Sequence, residues 1–514
     1  MLLLCAGVIG LSVLLRFFKL LDKSLWIDEA SRFFVAKKSI ADIIFIDGLG
    51  SFSPPLHNIL LHFWYYMGDS EFIVRLFPLV FGLISIVVFF IIVKKLYSKA
   101  TGDKTAFYTA LLATFFLAVS PMHIHYSQEA GGPYTLYFLF ILISMYLFLE
   151  IIKDYPQKQF RYFLYFAFLL AICFYLHYFT VNFILAYNLI FVFYYSVFVR
   201  HKSIAEWLAK SLKWFFSQLI LLVAIIPILP TVVFQASRGQ PGPSVSIRDM
   251  RELFFAFVSG QWSFAVKTVL GITAAMIFAG CLFFIFKRGK DRGDAVKKDV
   301  LLLSLFVAVI GIGFLIGIKT HAFRYRYLFP LLAIYVILLA RGTMCVRPGF
   351  VRIPLILFVL FSSMFSLNEY YFKQPYWEKE PWRDASAFVG NNSLPGDIIV
   401  FPISNEQPAF NYYYRKCDLQ LKEYGLIRDY DIYKGPVFSF DVPPEDLIAE
   451  FERLTQATNR IWVVTARITI GMPTSPKGIG HLIIDYMNST EKYDFILHRH
   501  VGGRLNVFLY GRKG

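Results

Sequence analysis

Apolar residues form long, nearly uninterrupted runs over the first 367 residues of the chain. About 20 apolar residues are needed for a helix to cross the roughly 30 Å hydrocarbon core of a bilayer. The run 162–199 is too long for one crossing and is interrupted by LHYFTVN, so we interpret it as two spans. The predicted spans, eleven in number, are 2–21, 72–93, 105–121, 132–152, 162–179, 182–199, 212–234, 264–286, 299–318, 322–340 and 350–367.

Basic residues are concentrated in alternate connections between these spans. Each of the following connections carries at least three Lys or Arg residues: 94–104, 153–161, 200–213, 287–298 and 341–352. The short connections 121–131 and 177–182 carry none. Because basic connections remain in the cytoplasm, this alternation predicts a multi-pass plasma-membrane protein with a cytoplasmic N-terminus. Residues 22–71, 235–263 and the C-terminal region are then expected outside.

Composition supports a membrane protein and narrows its partners. At 57% apolar and 18% aromatic residues, the chain is too hydrophobic for a water-soluble protein. The net charge of +16 lies mostly in the short connections, so it indicates membrane orientation and lipid contact rather than nucleic-acid binding. The five cysteines form neither a disulfide framework nor a zinc-binding spacing. The first apolar run lacks a basic n-region and a cleavage site, so we expect a retained span.

Residues 368–514 contain charged, Gly and Pro residues at the frequency of a globular domain. Apolar segments predict strands at 397–403, 460–466, 493–500 and 505–512, with helices or loops at 381–392 and 475–489. The prediction is therefore an α-helical polytopic membrane domain at 1–367, followed by an extracytoplasmic α/β domain at 368–514. The aromatic segment 368–384 is expected to pack on the membrane domain, with glycan binding as the alternative.

The first outer loop, 22–71, is unusually long, and long ordered loops tend to be functional. Residues 28–46 have their apolar side chains on one helical face, which predicts an amphipathic helix lying along the membrane surface. Ser53, followed by two prolines, predicts a second helix start that is too short to span. Asp28 and Glu29 then lie at the outer interface. The structural alternative is that these two acids only stabilise the N-terminus of a helix, with Asp28 paired to Arg32 in solvent.

Further polar residues occur at the same predicted level of the membrane. They are Gln128, Glu129, Arg75, His321, Arg324, Arg326, His57, His123, His125 and His177. A cation inside a span, such as Arg75, is costly unless it is paired or used. Two arginines in one turn at the edge of the hydrocarbon suit a phosphate. For each residue taken alone, an interfacial polar role is the alternative.

These residues match transfer from a lipid-linked, phosphate-activated donor. A single-displacement glycosyl transfer needs a carboxylate to take the proton of the acceptor hydroxyl and cations to hold the departing phosphate. Asp28 is the candidate base, and the arginines are the candidate phosphate ligands. No nucleotide-binding loop is needed for such a donor.

The chain resembles the C-type glycosyltransferases, in the branch of protein O-mannosyltransferases and aminoarabinose transferases. The resemblance covers roughly residues 20–345. It rests on four motifs in order: SLWIDEAS, SPPLHNILLHFWYYMGDSEFIVRLFPLVFG, SPMHIHYSQEAGGPYTL and FRYRYLFPLLAIYVILLARG.

The resemblance implies an inverting enzyme that moves a hexose or pentose from polyprenyl phosphate to a lipid, glycan or protein acceptor. It implies Asp28 as the base with Glu29 beside it, and Glu129 ordering the site. Arg75 would support the first loop and lie among the substrate-binding residues. Phosphate binding is assigned to Arg324 and Arg326, and His57, Tyr134 and His177 complete the predicted substrate-binding set.

One turn departs from the family pattern. Relatives have a basic residue after Gln-Glu-Ala, whereas this chain has Gly131 and Gly132, followed by Pro133 and Tyr134. This turn therefore lacks the family's basic side chain for a phosphate or acceptor contact. The sequence shows no metal cluster beyond the acidic pair, which leaves a divalent metal as an open alternative.

Two other classes of protein remain as alternatives. A polyprenyl-lipid flippase or transporter would also carry charges in its spans, but the polar residues here lie at the outer ends of spans and no pair of interrupted helices lies at mid-membrane. A membrane sensor would use the outer domain to bind a ligand.

Overall fold

The computed structural model describes residues 1–47, 54–198, 203–238, 245–260, 267–287, 293–320, 323–346, 349–373, 380–427, 443–466, 479–502 and 504–513. The helices of the first 373 residues are α1 (Leu2–Phe17), α2 (Ile27–Ala36), α3 (Ile40–Asp42), α4 (Leu56–Trp64), α5 (Glu71–Thr101), α6 (Asp103–Ala118), α7 (Pro121–Ser127), α8 (Tyr134–Lys153), α9 (Phe160–Leu176), α10 (Thr180–Phe198), α11 (Ile204–Ile225), α12 (Leu229–Arg238), α13 (Ile247–Ser259), α14 (Lys267–Lys287), α15 (Gly293–Thr320), α16 (Leu331–Cys345) and α17 (Gly349–Asn368).

Each predicted span overlaps at least one of these helices, which confirms the helical membrane fold. Among the described residues, seven helices are long and apolar enough to cross a bilayer. The pair α6 and α7 would add one span, bent by 62°, and α1, α9 and α16 are shorter apolar helices. The count of eleven stays a prediction. The tenth predicted span, 322–340, begins late because Tyr325–Leu328 form a 3₁₀ turn before Pro330 starts α16.

The connections predicted to be cytoplasmic meet at one end of the helix bundle. Asp299 pairs with Arg341 at 3.1 Å and accepts a hydrogen bond from Tyr97. In the same region, Lys213 donates to the backbone carbonyl of Lys158 at 3.1 Å. The basic connections therefore share one end, as the predicted alternation requires, while the orientation of that end stays a prediction.

The C-terminal region forms a mixed five-stranded sheet flanked by helices. Its strands are β1 (Ile398–Ile403), β2 (Lys422–Ile427), β3 (Arg460–Thr465), β4 (Tyr493–Gly502) and β5 (Leu505–Arg512), and its helices are α18 (Trp382–Asn392), α19 (Gln407–Tyr414), α20 (Pro444–Thr455) and α21 (Ile479–Ser489). The strand order is β2-β1-β3-β5-β4, with β1 parallel to β2 and β3, and β5 antiparallel to β3 and β4. Four strands and α18 were predicted. The predicted segment 475–489 contains α21, and its residues 475–478 lie outside the described residues.

The two faces of this sheet have different partners. Alternate strand residues point to opposite faces, so Ile398 and Val400 pack with α20 and α21, whereas Ile399, Phe401 and Trp462 join a core cluster that includes first-loop residues such as Phe33. This face of the sheet is covered by α18 and α19, and α19 packs on the first loop through the contact of Tyr412 with Phe33. The division at residue 367 stays a prediction.

Polar contacts also join the C-terminal region to the loop and the adjoining helix. Arg383 pairs with Glu71 at 2.7 Å, and Arg415 pairs with Asp69 at 2.9 Å. Packing was the expected role of the aromatic segment, and Tyr370 and Trp382 are indeed buried. Residues 374–379 of that segment lie outside the described residues.

The predicted surface helix 28–46 is wrong in its continuity. α2 ends at Ala36, and a new short helix begins after Ser39, whose hydroxyl accepts from the backbone N–H of Asp42 at 3.1 Å. This local cap competes with continued helix. The face expected on the membrane is also divided, because Phe33 is buried against the C-terminal region, whereas Ile40 and Ile44 are exposed. The second helix is α4, and its predicted cap, Ser53, lies outside the described residues.

Candidate active site

The start of α2 fixes the two adjacent carboxylates. Trp26 is extended, and the helix begins at Ile27. The Glu29 carboxylate accepts from the backbone N–H of Trp26 at 3.3 Å, which is the contact that an acidic third residue makes at a helix start. Asp28, one residue earlier, projects in a different direction and is half-buried. The adjacent acids therefore enter different surroundings.

Glu29 and Arg75 form a closed ion-pair cluster. Glu29 Oε1 accepts from Arg75 Nε at 3.2 Å, and Glu29 Oε2 accepts from Nη2 at 3.1 Å. The same guanidinium donates to the carbonyls of Leu20 (2.7 Å), Lys23 (2.8 Å) and Ser24 (3.0 Å). Arg75 is 1% exposed and Glu29 is 0% exposed.

This cluster corrects two predicted roles. The protein contacts account for all five N–H groups of the Arg75 guanidinium, so Arg75 does not fit as a phosphate ligand. Glu29 does not fit as a reacting group, because both of its oxygens accept hydrogen bonds within the protein. Arg75 instead donates to backbone carbonyls at and just after the end of the first predicted span, and its role in supporting the first loop stays a prediction.

The turn after α7 brings a second acidic residue close to Asp28. The backbone N–H of Ala130 donates to Glu29 Oε1 at 3.1 Å. A Cβ added at Gly131 would lie 3.2 Å from Asp28 Cβ and 3.2 Å from Glu129 Oε1. The glycine in place of the family's basic residue therefore lets the turn approach Asp28 without displacing it.

Glu129 pairs with His125, one helical turn earlier. The two side chains are buried, and His125 Nε2 lies 2.7 Å from Glu129 Oε2. Gln128 beside them donates to the carbonyls of Arg16 and Phe18, both at 2.9 Å. Glu129 is thus held in place next to Asp28. Sequence reasoning did not identify the His125–Glu129 pair, although their spacing of four residues on one helical face was a usable signal.

The 3₁₀ turn before α16 places Arg326 among aromatic residues and near Asp28. The phenol of Tyr134, followed by Tyr327 and Asp28, raises the pKa of Arg326 against the opposing effect of burial. The Nε group of Arg326 is buried and has no hydrogen-bond partner. A buried donor without a partner is costly, so this nitrogen is a candidate for contact with a ligand.

Two histidines lie near arginines of this region: His177 near Arg326 and Arg32, and His57 near Arg32. Burial first, then Arg326 and Arg32, lowers the pKa of His177 to about 3. The pKa of His57 is lowered well below its ordinary value by burial and by Arg32. Both imidazoles are therefore neutral near pH 7, and Nδ1 of His57 is buried without a partner. Sequence reasoning treated Arg32 as a solvated partner of Asp28 and did not foresee its proximity to the histidines.

Aromatic contacts connect the same region. The ring centroid of His177 lies 4.9 Å from that of Tyr327 and 5.1 Å from that of Tyr137, on which it stacks. The ring centroids of Tyr134 and Tyr126 lie 4.5 Å apart. We call Asp28, Arg326, Tyr134 and His177 the donor cluster. Its members come from four distant parts of the chain.

Two predicted residues do not join the donor cluster through described contacts. Arg324 donates to the carbonyl of its neighbour Phe323 at 2.9 Å, so its phosphate role stays a prediction. His321 lies outside the described residues. The acidic pair also does not fit a divalent metal, because the oxygens of Glu29 are occupied by Arg75 and backbone N–H groups. Over the described ranges, no group of three or more His, Cys, Asp or Glu side chains forms a metal-binding set.

Comparison with known proteins shows what the chain is similar to. Residues 53–230 match the family model of dolichyl-phosphate-mannose-protein mannosyltransferase. A search of curated proteins finds no match. Among solved structures, apo ArnT from Cupriavidus metallidurans is 14% identical, with a TM-score of 0.59 over 98% of this chain and 97% of that chain. The chain is a membrane glycosyltransferase with the C-type fold.

Other solved structures agree with this fold. ArnT from Cupriavidus metallidurans bound to undecaprenyl phosphate has a TM-score of 0.57 and 12% identity, over 98% of this chain and 97% of that chain. The apo oligosaccharyltransferase of Archaeoglobus fulgidus has a TM-score of 0.56 and 13% identity, over 100% of this chain and 74% of that chain. The resemblance of the glycosyltransferase to the protein mannosyltransferase and aminoarabinose transferase branch is thereby confirmed.

Proposed function

We propose that this glycosyltransferase moves a sugar from polyprenyl phosphate to an acceptor hydroxyl at the outer face of the membrane, with inversion at the anomeric carbon. Asp28 is the base, and Arg326 holds the lipid phosphate. The observation that carries the proposal is the donor cluster, where Arg326 keeps a buried Nε without a hydrogen-bond partner and lies within electrostatic range of the Asp28 carboxylate.

The donor class is supported by the similar structures. ArnT from Cupriavidus metallidurans binds undecaprenyl phosphate, and AglB from Archaeoglobus fulgidus has been solved with an inhibitory peptide and dolichol phosphate. Both ligands present a phosphate on a long isoprenoid. A guanidinium next to a membrane-embedded bundle suits such a group, because it binds phosphate through directed, charge-assisted hydrogen bonds.

The proposed reaction is a single displacement. The acceptor oxygen forms a bond to the anomeric carbon while the bond from that carbon to the phosphate oxygen breaks, and its electron pair remains on the phosphate. The acceptor proton passes to Asp28. Arg326 stabilises the negative charge that grows on the leaving phosphate, which is the position where a preorganised cation lowers the barrier. Neutral His57 and His177, with Tyr134, then bind the sugar through hydrogen bonds, and Glu129 orders the turn beside Asp28.

The topology belongs to the same proposal. With the N-terminus in the cytoplasm, the first loop and the C-terminal sheet both lie outside the cell membrane. The proposed divisions are a membrane domain at 1–367 and an extracytoplasmic domain at 368–514. The donor then reaches Asp28 from the outer leaflet, and the acceptor reaches it from the aqueous side.

The test measures release of undecaprenyl phosphate from a panel of undecaprenyl-phosphate sugars in membranes that contain each variant. Asp28→Asn keeps the size of the side chain but cannot accept the proton, so we expect a loss of about 10²- to 10⁴-fold. Asp22→Asn is the matched control, because Asp22 is exposed and pairs with Lys19, three residues away. Full activity of Asp28→Asn, or a product that keeps the donor's anomeric configuration by NMR, contradicts the proposal.

A further inference from the structure

A cavity lies between the first loop and the C-terminal sheet. Its volume is about 390 Å³, within the range of about 300–1,000 Å³ found for small-molecule sites. Phe34 of α2 forms one wall, and the edge strand β2 with α19 forms the opposite walls. None of the donor-cluster residues lines it, so it is separate from the proposed catalytic site.

The Glu423 carboxyl is hydrogen-bonded to the side chains of Asn411 and Gln407, but this contact leaves two polar atoms of the lining without a partner. Asn411 Oδ1 and Glu423 Oε2 are buried and have no hydrogen-bond partner. Gln407, Gln420 and Ser404 are further polar side chains of the lining. Since buried polar atoms without partners are uncommon and costly, two of them in one cavity indicate a hydrogen-bonding ligand.

The remaining walls are aromatic and aliphatic. Phe34 and Tyr424 contribute aromatic surface, and Leu421 and Leu454 contribute aliphatic surface. At Gly425 the backbone of β2 approaches α19 so closely that an added Cβ would lie 2.8 Å from Gln407 Oε1. A purely apolar ligand would leave the amide and carboxyl groups unpaired, so the lining suits a ligand with polar and apolar faces.

An anionic ligand does not suit the cavity either. Its one arginine, Arg415, pairs with Asp69 at 2.9 Å, donates to the Tyr412 carbonyl at 3.1 Å and lies over the Phe33 ring. The guanidinium is therefore already committed to the contact between the sheet and the first loop. Amides, a carboxyl group and aromatic faces in the same cavity match hydroxyl groups on a compact ring, because amides both donate and accept.

The cavity is also near the site where an acceptor must arrive. Phe34 and Asp28 belong to the same helix and are six residues apart, which corresponds to about 9 Å along the axis. The cavity is on the side of α2 that faces the C-terminal sheet. To reach Asp28, a ligand held there must extend along α2 over this distance.

We propose that this cavity binds a saccharide, the carbohydrate part of the acceptor. This proposal rests on the proposed function and adds the class of acceptor to it. Asn411 and Glu423 hydrogen-bond the sugar hydroxyls, and Phe34 packs against the sugar ring. Both a glycolipid head group and a soluble glycan present this chemistry.

The experiment measures saccharide binding without turnover. The full chain carrying Asp28→Asn is applied in detergent to an array of defined oligosaccharides, each displayed with and without a lipid anchor. We expect binding to a subset of them. Asn411→Leu and Phe34→Ala, which change opposite walls, should each weaken this binding at least about tenfold, the ratio that loss of one good contact gives. Equal binding to anchored and lipid-free forms identifies a soluble glycan, and preference for the anchored form identifies a glycolipid.

Controls separate this proposal from the proposed function. Asn392→Leu changes an exposed asparagine of the same sheet region and should bind as the parent does. Undecaprenyl phosphate binding is measured on every variant to verify folding. Absence of any bound saccharide, or equal binding by the parent, Asn411→Leu and Phe34→Ala, overturns the saccharide site. Donor turnover by the chain with native Asp28 is measured separately. It tests the proposed function, whereas the array tests the saccharide site.

Discussion

Two charged clusters meet at the start of α2, and they differ in how completely the protein satisfies them. In the first, Glu29 and Arg75 are fully buried, and their hydrogen-bonding groups are occupied by each other and by backbone groups. In the second, Asp28 interacts with Arg326, which is half-buried and keeps an unpartnered Nε.

The difference separates a structural role from a chemical one. A closed ion pair has no donor or acceptor available for a substrate, and removing one partner leaves a buried charge uncompensated. A half-satisfied cluster retains hydrogen-bonding capacity that a ligand can use. The proposed function therefore gives the two adjacent acids different roles, with Glu29 structural and Asp28 chemical.

The largest expected effect on stability is at the closed cluster. Arg75→Met leaves the Glu29 carboxylate buried without its cation, which costs about 3–5 kcal/mol. We expect a large loss of folded protein, measured as thermal unfolding in detergent. Arg326→Met is the matched control and should lower stability far less, because Arg326 is only half-buried. Equal thermal stability of Arg75→Met and the unmodified chain would contradict the structural role.

The next effect concerns ligand binding at the open cluster. Arg326→Met removes a charged hydrogen-bond donor from the proposed phosphate site, a loss of about 1.5–3 kcal/mol, or roughly 10- to 150-fold in affinity for undecaprenyl phosphate. Arg326→Lys keeps the charge but not the planar fork, so we expect an intermediate affinity. Binding is measured by titration of the purified chain with undecaprenyl phosphate.

Arg324→Met sharpens this test. Described contacts do not bring Arg324 to the donor cluster, so its substitution distinguishes one phosphate-binding arginine from two. If Arg326→Met binds the lipid as tightly as the unmodified chain does, the phosphate assignment is wrong.

The membrane fold was predictable because the span pattern depends only on local hydrophobicity. The same holds for four strands of the sheet, whose residues are mostly apolar. β2 was missed because Lys422, Glu423 and Gly425 are poor strand formers, and its position at the sheet edge tolerates them. The break between α2 and α3 had a local signal, since Ser39 and Asp42 have capping-box spacing.

The roles within the site were less predictable, because they depend on partners that are distant in sequence. Sequence reasoning grouped Arg75 with Arg326, and only the backbone carbonyls around Arg75 separate them. The sequence alone gave no reason for Gly131 in place of the family's basic residue. The reason is spatial, because a Cβ at this position would lie 3.2 Å from Asp28 Cβ. Burial and partner geometry, rather than residue type, decide which charge is structural.

The smallest predicted effect extends the comparison to a buried carboxyl without a cation. No described ion pair involves Glu423, and burial raises its pKa from the ordinary value of 4.5 to about 7. The folded state therefore keeps this proton between about pH 4.5 and pH 7, where the unfolded state has lost it. The contribution of protonated Glu423 to the free energy of unfolding is therefore full below pH 4.5 and falls as the pH rises toward 7.

We expect this loss to be about 1–2 kcal/mol after allowance for solvent screening, which lowers the melting temperature by about 2–5 °C. Glu423→Gln cannot titrate, so the difference in melting temperature between the unmodified chain and this variant should decrease from pH 4.5 to pH 7.5, measured without saccharide. Glu29 has the opposite environment, since Arg75 keeps its charge compensated. If the difference is independent of pH, Glu423 is not the uncompensated carboxyl that its surroundings indicate, and the contrast between satisfied and unsatisfied charges does not extend beyond α2.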